Sequence, residues 1–430
     1  MEAAPESASQ PGEIGQIANG RPITRNHTRR GTRREVTEVT ETTATRVSEV
    51  PEVKGGAMEI TVSKSDLLKE LTATQGVVER KTTIPILSNF LFEAAGDRLS
   101  ITATDLDLSL RTGCPAKVKK EGACTIPARR LFDYVKLLSD GEITIKLLEN
   151  HWVNLRLSRS NTKMVGMARS NFPSLPALPT PTAYKLPSQV LHRMIAKTIF
   201  AISNEESRYT LNGGLLVLKP ESMIMVATDG HRLAHIENSA ARFTGLSGEL
   251  RILVPKKAMG ELNSLLNDYD GEFVEFAKDE STLFFRLGDR LLTSRQLTGQ
   301  FPNYEAVLPR DNTKTVAVAT DAISVAIQRV AQFADERSGA IRLRLDKGEI
   351  KVSSSSSDAG ESEDSIETSY QGDALTIGFN SQYLLDFFKA AGSAEVRFEF
   401  KDPQSAGQLR PEEPPDSDFK YRYIVMPMRI

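Results

Sequence analysis

Two histidines four positions apart, His231 and His235, are the nearest approach to a metal-binding pair in this chain of 430 residues. On a helix that spacing would set both imidazoles on one face, as a zinc site requires. The flanking runs Met223–Ala227 and Leu233–Ile236 read instead as extended chain, in which four residues span about 13 Å, too far for one ion. Asp105, Asp107 and Asp229 are the candidate carboxylates for acid–base work. Asp105 and Asp229 each follow an Ala-Thr pair at matching places, however, which points to a turn or cap. No Gly-Lys dipeptide occurs, so no P-loop can hold nucleotide phosphates, and neither His-Glu-x-x-His nor Gly-x-Ser-x-Gly is present. The chain reads as a non-enzyme that needs no metal or cofactor.

Basic residues carry more. Arg129 and Arg130 open one amphipathic segment, and Lys256 and Lys257 open a second at equivalent positions. Arg193 and Lys197 are four apart, on one face of a predicted helix. Positive charge spread over helices on a common side suits phosphate contacts without base reading. Aromatic platforms for stacking single strands are not evident, so duplex DNA is the expected ligand.

The elements that must position these residues are written three times. One block runs from Ile126 through a helix with apolar Leu131, Tyr134 and Leu138 to the alternating strand Glu142–Leu147. A second runs from Val254 through Met259, Leu262 and Leu266 to Glu272–Phe276, and a third from Phe379 through Leu384, Phe387 and Ala391 to Glu395–Phe400. The period of roughly 125 residues marks three copies of one domain. Each copy also opens with a helix, behind the capping candidates Ser65, Ser188 and Thr320. Strand-like pairs follow: Asn89–Phe92 with Leu99–Thr102, Gly214–Leu218 with Met223–Ala227, and Ala340–Leu345 with Glu349–Val352. Helices grouped on one side of antiparallel sheets give an α+β class, with two helices per domain and six half-domains in all.

Composition is that of a globular protein, 40% hydrophobic and 26% charged, with a formal net charge of −2, so any basic surface is local. No apolar run approaches the ~20 residues of a membrane span. Two cysteines, Cys114 and Cys124, give no disulfide framework and fit a reducing cytoplasm. Residues 1–57, rich in Ser, Thr, Glu and Arg, are expected to be disordered, and Met58 is a plausible start. Prolines in Phe172–Pro179 and Phe301–Pro309 mark stiff joints, giving domains at 58–180, 181–309 and 310–430. The polar stretches Ser353–Ser369 and Asp402–Asp418 are expected to be mobile loops.

At the level of motifs, the chain resembles the bacterial sliding clamps, the beta subunits of DNA polymerase III. The carrying segments are Ile84–Asn89, Ala227–Ala234, Phe301–Tyr304 and Tyr423–Ile430, and the likeness spans about 58–430. It implies three clamp domains per chain and a closed ring of two chains joined head to tail. That ring would encircle duplex DNA, be opened by a separate clamp loader, and tether the DNA polymerase III alpha subunit and other proteins bearing a clamp-binding motif. The resemblance further implies a partner-peptide cleft of Arg208, Leu211, Thr228, Gly230, His231, Arg232, Leu233, Pro302, Val307, Ile424, Met426, Pro427, Met428 and Arg429. DNA contacts carried over likewise are Lys81, Arg129, Glu205, Tyr209 and Thr210, with lysine at position 81 where the family often has arginine. Two rival classes remain open at this point: a peptide-binding scaffold without a DNA role, and a nuclease or polymerase, which would need converging carboxylates.

Overall fold

The computed structural model describes residues 57–79, 82–179, 184–412 and 417–429. The expected disorder of residues 1–57 falls, apart from Ala57, outside the described residues. Among the described residues six α-helices carry the repeat: α1 (Lys64–Thr74), α2 (Ala128–Leu137), α3 (Ser188–Thr198), α4 (Lys256–Asn267), α5 (Thr320–Val330) and α6 (Ser381–Ala391). They pack in pairs, α1 with α2, α3 with α4 and α5 with α6, and α3 also touches α6. The predicted apolar stripes are the buried faces: Leu131, Met259, Leu262, Leu266, Leu384, Phe387 and Ala391 are all at most 2% exposed. Leu138 lies just past α2 and, like Tyr134, is only partly buried, whereas Val135 is fully so.

Among the described residues all paired strands are antiparallel, in four sheets. The first has five strands in the order Lys117–Lys120, Glu59–Ser63, Glu142–Leu147, Trp152–Leu157, Ser160–Val165. The last has four: Gly360–Glu367, Glu349–Ser356, Ala340–Asp346, Leu375–Asn380. Two eight-stranded sheets cross from one repeat to the next. In one, Arg290–Arg295 of the second repeat pairs with Leu108–Pro115 of the first, in register Leu292 to Leu110. In the other, Phe419–Val425 of the third repeat pairs with Arg232–Asn238 of the second, in register Tyr423 to Ala234. Each crossing is reinforced on the helix side by a guanidinium–carboxylate bridge. Arg290 reaches Glu70 of α1 through two bonds of 2.9 Å, and Arg232 reaches Asp386 of α6 at 2.6 Å.

The structure corrects two local expectations. Ser188 and Thr320 lie inside the first helical turn and do not cap it, and α1 takes Ser63 as its N-cap residue with no side-chain cap bond. Their hydroxyls donate across the domain instead, Ser188 to the carbonyls of Gly271 and Glu272 and Thr320 to that of Ser393. These bonds fasten α3 and α5 to the chain entering the neighbouring strand. Among the described helices, α6 has a side-chain cap, Asn380 accepting from the N–H groups of Gln382 and Tyr383. The stretch Ser353–Ser369 is not a loop. It carries most of a hairpin of Glu349–Ser356 with Gly360–Glu367, in which Ser362, Asp364 and Ile366 turn partly inward and α5 packs against the outer strand. Within Asp402–Asp418, Gly407–Pro411 is likewise a strand.

Candidate functional site

The turn joining Ser222–Thr228 to Arg232–Asn238 is built from the Thr-Asp pair that the sequence repeats. Asp229 Oδ1 accepts from the N–H groups of His231 (2.9 Å) and Arg232 (3.0 Å), while Thr228 Oγ1 donates to the Arg232 carbonyl (2.6 Å). The first repeat has the same turn: Asp105 Oδ1 accepts from Asp107 and Leu108, and Thr104 Oγ1 donates to the Leu108 carbonyl. Both aspartates are therefore turn-formers. Position three of the turn needs a positive φ, met by Gly230 at 90° and by Leu106 at 82°. In the second repeat the glycine has a further reason, since a Cβ there would lie 2.7 Å from Arg208 Nη1.

Beside this turn lies a cavity of about 110 Å³ lined by Leu211, Thr228, Gly230, His231, Arg232, Leu233, Pro302, Tyr304, Val307, Ile424 and Met426. Four segments distant in sequence converge here. Leu233 and Ile424 are register partners across the inter-repeat sheet, facing away from the helices. The Pro302–Val307 joint crosses that face, and Met426, 38% exposed, follows the last strand and donates its N–H to the His231 carbonyl at 2.8 Å. Met428 donates to the Gly378 carbonyl at 2.8 Å, pinning the tail to the four-stranded sheet. Ten of the expected cleft residues thus converge. Pro427, Met428 and Arg429 continue along the tail beyond the lining. Arg208 braces the turn from beneath, donating to the Asp229 carbonyl at 2.6 Å. Tyr304 is an additional lining residue, and its signal lay in the Phe301–Tyr304 motif.

Arg232, one of the cavity's lining residues, is also engaged within the chain. Its guanidinium is only 10% exposed and donates to Asp229 Oδ2 (3.0 Å), Asp386 Oδ2 (2.6 Å) and the Phe200 carbonyl (2.8 Å). The ring of Tyr383 lies 4.4 Å from its central carbon. Burial works against its charge, and Tyr423, Asp386 and Asp229 more than offset that, holding its pKa above the ordinary value. The residue is a strut locking the cleft turn to α6. Asp386→Asn is accordingly expected to weaken peptide binding several-fold and to lower stability by about 1–3 kcal/mol, with Asp386→Glu restoring part of both. Peptide titration with parallel melts checks this, and unaltered affinity in Asp386→Asn would remove the strut from the cleft.

His235, two residues along the strand from Leu233, is buried against Tyr304, with ring centroids 5.6 Å apart. Burial, then the charge of Arg422, pushes its pKa down to about 4. Among the described residues no group of three or more His, Cys, Asp or Glu side chains is placed to hold a metal. Both cysteines are buried free thiols, raised to about 12 by burial.

The predicted basic surface divides. Arg129 is 90% exposed, with only a 3.8 Å contact to Asp133, and Arg130 and Tyr209 are also exposed. Thr210 is half-buried, and Lys81 lies outside the described residues. Arg193 stacks its guanidinium 4.5 Å over the Phe419 ring. Lys256 donates to Asn204 Oδ1 at 2.7 Å, and burial lowers its pKa. Lys197 and Lys257 depart from the expectation of free phosphate contacts. Lys197 donates to the Ala390 and Ala391 carbonyls at the end of α6, and burial, then Arg193, lowers its pKa. Lys257 pairs with Asp105 at 2.5 Å across the first junction. Spacing on a helix face found these cations but not their partners on other repeats.

Repeated helix-pair domains are joined by continuous sheets and carry an apolar cleft at one junction. Comparison with known proteins gives the family. The three DNA polymerase III beta subunit domain models match in chain order: N-terminal over residues 58–176, central over 185–303 and C-terminal over 305–429. The beta sliding clamp of Caulobacter vibrioides is 37% identical over 388 residues, covering 87% of this chain and all of that protein. The Pseudomonas aeruginosa beta sliding clamp is 34% identical, with the same coverage. Crystal structures of the Pseudomonas aeruginosa subunit and of the Bartonella birtlesii clamp bound to griselimycin superpose with TM-scores of 0.80 and 0.81 at 34% and 33% identity, each covering 87% of this chain and all of that one. The chain belongs to the bacterial beta sliding clamps, the beta subunits of DNA polymerase III. It is a non-catalytic processivity factor of DNA replication, from a family of homodimeric rings. No described helix is long and apolar enough to cross a membrane.

Proposed function

We propose that two copies of this chain close head to tail around duplex DNA, with the helices facing the nucleic acid and the cleft at the second junction holding extended peptides from partner proteins. The observation that carries this reading is the convergence of Leu211, Leu233, Val307, Ile424 and Met426 on one cavity, on the sheet face opposite the helices. Leucine, methionine and proline make an adaptable apolar pocket for a few peptide anchors. The occupants it suits are clamp-binding peptides of the polymerase III alpha subunit, the clamp loader and other replication or repair proteins. A loader is needed on chemical grounds, because the chain has no P-loop with which to use ATP.

Enclosure holds DNA topologically, so its contacts need only be weak and sequence-independent. Arg129 and Arg130, exposed at the start of α2, are the best remaining phosphate contacts. Replacing both by glutamate is expected to leave the melting temperature within a degree or two. DNA affinity should fall and the log–log salt slope shrink by about one unit per lost phosphate contact. An unchanged slope on nicked circular DNA would place α2 away from the duplex.

A further inference from the structure

The sheet face that carries the cleft continues into a second cavity of about 250 Å³, polar where the first is apolar. Arg310 enters it from the joint, Arg422 from the last strand and Arg410 from the strand beside it, with Gln408 at its floor. Register sets this up: Gln408 lies opposite Ile424 and Leu409 opposite Tyr423, so Arg410 and Arg422 are neighbours on one face. Arg422 is also the register partner of His235. Like charges side by side on adjacent strands destabilise a sheet unless something neutralises them. Glu399 neutralises Arg410, through a bond of 2.6 Å from Arg410 Nε, and takes a second bond from Gln408 Nε2. Among the described residues nothing neutralises Arg422 or Arg310. Gln408 is only 8% exposed, and its Oε1 has no hydrogen-bond partner.

Resting on the reading of the neighbouring cleft as a peptide site, we infer that this cavity is an anion subsite taking the carboxylate of an acidic residue that flanks the apolar anchors of a partner peptide. Two guanidinium groups without partners ask for a negative charge. The buried acceptor Oε1 asks for an N–H, which a peptide backbone supplies and a phosphate diester does not. Position favours a peptide over DNA as well, since this face looks away from the helices. The two cavities are within reach of one ligand. Ile424 and Arg422 are two residues apart on one strand, roughly 7 Å, and the segment Val307–Arg310 borders both cavities.

The test uses two peptides with identical apolar anchors, one with aspartates flanking them and the other with asparagines, titrated against the full chain, Arg422→Gln and Arg310→Gln. The full chain should prefer the acidic peptide about tenfold at low salt, as one charge-assisted bond warrants. Either substitution should shrink that preference to about twofold or less, leaving the asparagine peptide's affinity unchanged. Equal binding of both peptides by the full chain would overturn the proposal, as would a preference that survives both substitutions. It would also be overturned if the substitutions weakened retention on circular DNA and spared the peptide preference. If neither peptide binds, the cleft reading fails by itself, and N-acetylaspartate amide becomes the probe. A shift of the Arg422 Nε–H resonance with the aspartate and not the asparagine analogue then supports the subsite, and no shift overturns it.

Discussion

A chain ending at Val425 is expected to lose peptide affinity by about a hundredfold or more while keeping its fold. The cut falls where the last strand, Phe419–Val425, has completed its ladder with Arg232–Asn238. What goes is Met426, a wall of the cavity, and two backbone bonds, Met426 N–H to His231 and Met428 N–H to Gly378. Losing burial of one large apolar group costs about 1.5–3 kcal/mol. Opening the pocket to water weakens the remaining anchors too, so 3 kcal/mol or more, about a hundredfold in affinity, is a fair expectation. Fold stability should drop only by the two peripheral hydrogen bonds, each about 1 kcal/mol. Peptide titration against full-length and truncated chains, with melts and sizing alongside, separates the alternatives. Equal affinity in both would take the tail out of the site, and a collapsed melting temperature would make it part of the third domain's core.

The triple repeat was legible because helix periodicity is local and survives divergence: Met259, Leu262 and Leu266 sit on one face whatever their surroundings. Inter-repeat partnerships were not legible. The partners of Arg232, Asp386 and the Phe200 carbonyl, are remote from it in sequence and meet it only where α3 and α6 come together. The acceptors of Lys197, the last carbonyls of α6, were hidden for the same reason. Ser353–Ser369 failed differently. A strand at a sheet edge, with one face open to water, carries Ser and Glu in alternation, and that composition is shared with loops. Most of the cleft came from the family resemblance, because no periodicity ties Leu211 to Met426.

That same edge strand carries the second large effect. Within the chain, each repeat junction pairs the fourth strand of one half-domain sheet with the fourth of the next: Arg290–Arg295 on Leu108–Pro115, and Phe419–Val425 on Arg232–Asn238. Among the described residues, two strands in equivalent places lack such a partner, Ser160–Val165 at the edge of the five-stranded sheet and Gly360–Glu367 at the edge of the four-stranded one. Open edges invite pairing with another chain, and a head-to-tail dimer supplies each with the other. Charge agrees: Glu361, Glu363, Asp364 and Glu367 lie on one strand, Lys163 on the other with Arg159 in the adjoining turn. The short edge Lys117–Lys120 is protected differently, by its own lysines. Lys163→Glu with Arg159→Glu should therefore turn attraction into repulsion at both closures of the ring. At about 0.5–1 kcal/mol per exposed pair, and twice that for a reversal, the dimer should weaken by about thirtyfold or more at low salt, and less at high salt. Lifetime on nicked circular DNA should fall toward that on linear DNA, with the peptide cleft unaffected. Unchanged dimerisation and unchanged retention would mean that the ring closes through other edges.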